Sequence, residues 1–202
     1  ANEIGKYKVY LQDLKSGDRK VIHKLGFKNA LQATDYDYPL LAWNPNNMEV
    51  AVIYEKHDVP KLMIYDINTK DKVTEDLDPQ FQRVYSMDYV NPGQMVFSAA
   101  VRGFSDIFLY YPTTRQTQRI TNDFYDDLDA TFVKIRNKKG ILFSSNRDDV
   151  MVQRLRMDTI LPLNNLDLYY YDLENKSTEL VRITNTPGID ETQASAVDST
   201  WF

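Results

Sequence analysis

The sequence predicts an all-β chain, a β-propeller made of four-stranded antiparallel blades. Three observations support this. A strand–turn–strand unit recurs about every 50 residues. A second hairpin precedes each copy after the first, so one period holds four short strands. Helical periodicity is nearly absent, and the stretch 150–157 is the one ambiguous place. A period of ~40–50 residues with several strands in it is the mark of propeller blades.

Taken in order, the first unit occupies residues 8–14, turns through Lys15-Ser16-Gly17-Asp18 and returns over 19–24. The second runs over 62–67, turns at Asn68-Thr69-Lys70-Asp71 and returns over 72–74. The third runs over 107–112 and returns over 118–121; the fourth runs over 168–173 and returns over 180–184. Asp13, Asp66, Pro112 and Asp172 mark equivalent places. The preceding hairpins turn at Asn44-Pro45-Asn46-Asn47, Asn91-Pro92-Gly93 and Asn137-Lys138-Lys139-Gly140. Pro presets φ in such turns, and Asn or Gly accepts positive φ. A further start of first and second strands is expected at 193–197. The chain is therefore read as one propeller domain or propeller fragment over 1–202. It divides into a half blade 1–34, blades 35–78, 79–124 and 125–187 (with an insertion at 149–165), and a half blade 188–202. The aromatic end at Trp201-Phe202 and the start at Ala1 lead us to expect a piece of a longer, larger-ringed protein.

Composition narrows the function classes. The net charge of −5 over 202 residues opposes phosphate binding, so nucleic acid is not an expected partner. The hydrophobic content of 43% is enough for a folded core. With no Cys there is no thiolate nucleophile and no Cys-based metal site, although an oxidising compartment stays open to a chain of this length. The apolar runs are strand-sized, far short of the ~18–20 residues of a helical membrane span.

Several motifs carry a resemblance. Trp43-Asn44-Pro45-Asn46-Asn47, Phe143-Ser144-Ser145-Asn146-Arg147-Asp148 and Ala100-Val101-Arg102 fall at matching places in the repeat. So do Tyr65-Asp66-Ile67 and Tyr171-Asp172-Leu173, and then Arg119-Ile120-Thr121-Asn122 and Arg182-Ile183-Thr184-Asn185. Over most of its length the chain resembles the TolB-like β-propeller family, which is related to WD-repeat propellers. That resemblance implies a periplasmic or cell-envelope location and protein binding rather than catalysis. The insertion departs from the family's blade.

A search for chemistry finds no nucleophile elbow, His-Glu-x-x-His motif, phosphate loop or EF-hand pattern. His23 and His57 sit at non-equivalent places and are read as structural or solvated. Asp88 lacks acidic counterparts in the other blades, which argues against a paired-carboxylate glycosidase. We assign no catalytic residue, no metal ligand and no cofactor.

The partner-binding candidates come from loops. In a propeller, the loops from a blade's last strand to the next blade's first emerge on one face, together with those joining second to third strands. These loops contain Asp35-Tyr36-Asp37-Tyr38, His57-Asp58, Arg102 with Asp106, then Asp123, Tyr125, Asp126 and Asp127, and finally Arg147, Asp148 and Asp149. A rim of carboxylates and tyrosines, with Arg102 and Arg147 as its main cations, suits a basic or polar peptide. The apolar insertion on the same rim is expected to plug the channel mouth or to dock a partner. The leading expectation is thus a non-catalytic protein- or peptide-binding scaffold propeller. The alternative is an accessory gating propeller of a prolyl-oligopeptidase or dipeptidyl-peptidase type serine peptidase.

Overall fold

Strands whose two faces are both apolar must be covered on both sides, and this demand builds the architecture. The computed structural model describes residues 6–26, 38–135, 137–152, 164–175 and 179–195. The Asp35-Tyr36-Asp37 loop, the body of the insertion at 153–163 and everything beyond 195 lie outside the described residues. No helix occurs among those described.

Strands β1 (Lys6–Gln12) and β2 (Arg19–Gly26) form a two-stranded sheet. Three four-stranded antiparallel meanders follow. The first is β3 (Leu40–Trp43), β4 (Glu49–Lys56), β5 (Val59–Asp66) and β6 (Lys72–Asp76). The second is β7 (Arg83–Asn91), β8 (Gln94–Val101), β9 (Phe104–Tyr111) and β10 (Gln116–Arg119). The third is β11 (Asp127–Ile135), β12 (Lys138–Ser145), β13 (Asp167–Asp172) and β14 (Val181–Arg182). We call these sheets blades 1 to 4, blade 1 being the two-stranded one. The first strands β3, β7 and β11 lie side by side, as expected for the inner edges of successive propeller blades.

The side-chain period of two sends alternate residues of each middle strand to opposite neighbours. In β8, Met95, Phe97 and Ala99 pack toward blade 2 with Ala51, Ile53 and Leu62. Val96 packs the other way, with Ile141, Phe143 and Tyr169 of blade 4. Val50, Val52, Met63 and Tyr65 meet Val9 and Ile22 of blade 1. Each fully buried side chain of this kind stabilises by ~1.5–3 kcal/mol. A surface pair such as Lys61–Asp76 contributes at most ~1 kcal/mol. The layers between blades therefore carry the fold.

The repeated aspartates close turns. Asp13 Oδ1 accepts from the backbone N–H groups of Lys15 and Ser16. Asp66 Oδ1 does the same for Asn68 and Thr69, and Asp172 Oδ1 for Glu174 and Asn175. In blade 3 the register puts Tyr111 at this place, one residue before the expected Pro112, and only its backbone O closes the turn, accepting from Thr114 and Arg115.

Two expectations change here. Within the described residues, 193–195 form no strand; Gln193 N donates to Asp129 Oδ2 at 3.1 Å, and Ala194 packs with Val133, Leu142 and Tyr170. The start of the insertion does not reach for the channel mouth. Val150 O accepts from Leu180 N and Val152 O from Asn122 N, and Val152 is buried between blades 3 and 4. Of its described apolar side chains, Val152 enters the nearest core layer while Val150 and Met151 stay exposed.

Candidate functional site

The Arg-Ile-Thr copies form a clasp rather than a contact surface. In blade 3, Arg119 Nη2 pairs with Asp106, and Arg119 Nε donates to Thr121 O. Thr121 Oγ1 accepts from Ile107 N, and Asp106 Oδ1 from Asp123 N. Blade 4 repeats this bond for bond. Arg182 pairs with Asp167 and donates to Thr184 O, Thr184 Oγ1 accepts from Leu168 N, and Asp167 accepts from Thr186 N. An aspartate opening the third strand is thereby tied to the end of the fourth.

Arg147, expected as an exposed rim cation, is fully buried, as are its partners Asp123 and Asp127. Its Nη2 donates to both carboxylate oxygens of Asp127 at 2.7 and 2.6 Å and to Asp123 at 3.2 Å. Nε donates to Ser145 Oγ, and Nη1 to Met151 O. The guanidinium also lies over the rings of Tyr125, Phe143 and Tyr169. The strand register explains this burial. Phe97 pairs with Phe108, and Phe143 with Tyr169, so Val101 is the counterpart of Arg147. Arg102 falls one residue later, in a turn with φ of 56°, and is exposed. One residue along a strand reverses the face.

The remaining predicted residues divide the same way. Asp106, Asp123, Tyr125 and Asp127 are buried, because each ties the loop to the blade below. Asp126 and Asp148 are exposed and Asp149 half-buried. Tyr125 donates its hydroxyl to Asp148. Burial pushes the Asp106 carboxyl up to about 6 against the nearby Arg119 charge, with the Asp127 charge adding to the rise. Asp123 is raised too, by burial first and then by Asp127, although Arg147 opposes both. Oxygens of Asp106, Asp123 and Asp127 lie within 4.8 Å of one another, the spacing of a cation site. Arg147 and Arg119 already supply the positive charge there, so the geometry favours an ion-pair knot over a metal centre.

Neither histidine forms a site. His23 stacks on Tyr54 with centroids 4.2 Å apart, and His57 occupies a turn at φ 55°. Asp88 Oδ2 accepts from Thr131 Oγ1 at 2.8 Å and Phe132 N at 2.9 Å, joining β7 to β11.

Beside Tyr38, which the sequence places on the rim, the structure adds Tyr54, Glu55, Arg83 and Tyr85 to the loop face. A small cleft of about 100 Å³ between blades 2 and 3 is lined by Tyr38, Tyr54, Tyr85, Glu55 and Arg83. Tyr38 is 65% exposed and Tyr85 39%. Tyr38 meets Tyr7 at 5.0 Å between centroids, and Arg83 lies over Tyr85. Tyr85 falls at a register shift between Val84 and Ser86. Alternation alone would not place it outward; the Arg-Val-Tyr-Ser break in the apolar pattern is the one signal. Leu41 and Trp43 of β3 are also exposed.

No family model matches the chain, and no curated protein matches it. Solved structures do. TolB from Acinetobacter baumannii aligns with a TM-score of 0.57 at 20% identity, covering 89% of this chain and 38% of that one. A TolB-assigned protein from Agrobacterium tumefaciens aligns at 0.54 and 15% identity, covering 89% and 61%. An oligogalacturonate lyase solved in complex with manganese aligns at 0.55 and 11% identity, covering 90% and 48%. The chain thus has the TolB-like propeller fold that its motifs suggest, and it spans roughly two fifths to three fifths of these structures' length. One neighbour is an enzyme, so the fold alone does not assign an activity.

Proposed function

We propose that this chain is a non-catalytic, protein- or peptide-binding propeller segment that contacts its partner through the loop face, in the periplasm or cell envelope of a bacterium. The observation that carries this reading is the exposed Tyr38–Tyr85–Arg83 cluster with Tyr54 on the loop face. Tyr and Arg in a recess are the residue types that dominate binding energy at protein interfaces. Arg102, Asp126 and Asp148 are exposed on other loops, charged groups of the kind found in the polar rim of such interfaces. The buried Asp106, Asp123, Asp127 and Arg147 hold the loops in shape beneath that surface. The TolB-like fold supports the envelope setting.

The test is cross-linking capture from a bacterial envelope extract, with the chain and its Tyr38→Ala, Tyr85→Ala and Arg83→Ala variants. A partner retained by the parent chain and reduced at least tenfold in yield by each variant is the expected result. Retention that ignores all three variants overturns the choice of surface. Turnover of oligogalacturonate by the full-length gene product overturns the non-catalytic reading.

A further inference from the structure

On the face opposite the predicted rim, a cleft of about 390 Å³ opens between blades 3 and 4, within the ~300–1,000 Å³ range of small-molecule sites. Its floor is aliphatic, with Val90, Leu109 and Ile120. One wall carries Gln94 and Gln118, and the other Lys139, Tyr171 and Glu174.

The corresponding gap between blades 2 and 3 is closed. There Tyr110 donates its hydroxyl to Glu75 Oε1 at 2.6 Å, and Arg115 pairs with Glu75 Oε2 at 2.6 Å. The ladder pairs Phe97 with Phe108 and Phe143 with Tyr169, so Tyr171 is the counterpart of Tyr110. The equivalent turns His57-Asp58 and Arg102-Gly103 match Leu62 with Ile107, and since Glu75 lies opposite Leu62 and Ile120 opposite Ile107, Ile120 is the counterpart of Glu75 and Gln118 that of Val73. An apolar Ile120 thus stands where Glu75 bridges, and neither the Tyr171 hydroxyl nor the Gln118 side chain in this cleft makes a hydrogen bond among the described residues. Lys139, in β12 at the position aligned with Gly93, adds a long donor to the wall. Gln94 is held by Tyr111, donating Nε2 to the Tyr111 hydroxyl at 3.0 Å while its Oε1 accepts from Asn91.

We propose that this cleft binds a neutral, hydroxyl-rich ligand, specifically a short uncharged oligosaccharide. Lys139 and Glu174 cancel in charge, which disfavours polyanions and polycations. Side-chain amides and the tyrosine hydroxyl both donate and accept, as sugar hydroxyls do. The aliphatic floor suits the C–H face of a pyranose ring. This site is independent of the loop-face reading, which stands or falls by its own experiment.

The experiment is a ¹⁵N-HSQC titration of the full chain with cellobiose, maltose and N,N′-diacetylchitobiose, with digalacturonate and a neutral tetrapeptide amide as competing classes. At least one neutral disaccharide should give saturable shifts at Gln94, Gln118 and Gly140. Tyr171→Phe and Gln118→Ala should each weaken that binding ~3–10-fold, the loss of one neutral hydrogen bond. The urea midpoint should hold, because neither the Tyr171 hydroxyl nor the Gln118 side chain makes a hydrogen bond among the described residues. No response to any of the three disaccharides overturns the proposal. So does a stronger response to digalacturonate or the peptide, or an affinity indifferent to both variants.

Discussion

Replacing Arg147 with Met tests whether the loop face rests on a buried ion-pair knot. The side chains of Arg147, Asp123 and Asp127 have no solvent exposure, so the substitution strands two carboxylates where water cannot reach them. Removing one partner of a buried ion pair typically costs ~3–5 kcal/mol, and the loss of donors to Ser145 Oγ and Met151 O lies within that figure. With a urea slope of ~2 kcal/mol/M, the unfolding midpoint followed by far-UV circular dichroism should fall by ~1.5–2.5 M. Arg102→Ala, at the exposed counterpart in the sequence motif, should change stability by less than ~0.5 kcal/mol. The penalty should also shrink from pH 8 to pH 5. Burial already raises the Asp123 carboxyl, and without the guanidinium it takes up a proton and sheds its charge. A midpoint shift below ~0.5 M, or an equal loss from Arg102→Ala, would refute the knot. A penalty independent of pH would assign the loss to packing alone.

Further outcomes follow from the same geometry. The Asp106 carboxyl, raised by burial to about 6, favours the folded state fully below its unfolded value and loses that contribution as pH rises through 6. Its contribution should therefore drop by up to ~1.4 kcal/mol per pH unit between about pH 4 and 6, and Asp106→Asn should remove that component; a variant whose pH profile matches the parent's over this window would contradict the assignment. Asp167 works in the opposite sense. Its burial is outweighed by the Arg182 and Thr186 bonds, which hold it low, so its contribution fades only as pH falls through the acid range. Thr121→Val removes the acceptor of Ile107 N and should cost ~1–3 kcal/mol. Thr117→Val, whose buried hydroxyl has no hydrogen-bond partner among the described residues, should be neutral or stabilising; equal urea midpoints for the two variants would refute the distinction. At Gly140 an added Cβ would lie 2.1 Å from Tyr170 Cε2. Gly140→Ala should cost ~1–3 kcal/mol through overpacking, and Tyr170→Leu in the same chain should return part of it, measured as a double-mutant cycle.

Much of the fold was legible in the sequence because the features that report it are local. Four-strand periods, turn residues at Asn91-Pro92-Gly93 and the capping Asp13, Asp66 and Asp172 act over a few residues. Apolar residues on both faces of β8 announce a strand sandwiched between neighbours. The Arg-Ile-Thr copies were visible as a repeat, but their role as a clasp needed the aspartate more than ten residues earlier in the chain.

The candidate site was less legible. Arg102 and Arg147 occupy the same motif in the sequence, yet the ladder register sets them one residue apart and sends one outward and one inward. Asp123 and Asp127, 24 and 20 residues from Arg147, supply the charges that make its burial tolerable. Tyr85 reaches the loop face only through a register shift in β7. The cleft between blades 3 and 4 stays unbridged because Ile120 stands where the preceding interface has Glu75. Composition and spacing along the chain determined which segments become strands and how many make a sheet. Which polar side chains face solvent was decided by contacts between blades, since alternation fixes two faces and only the neighbouring sheet determines which of them is covered.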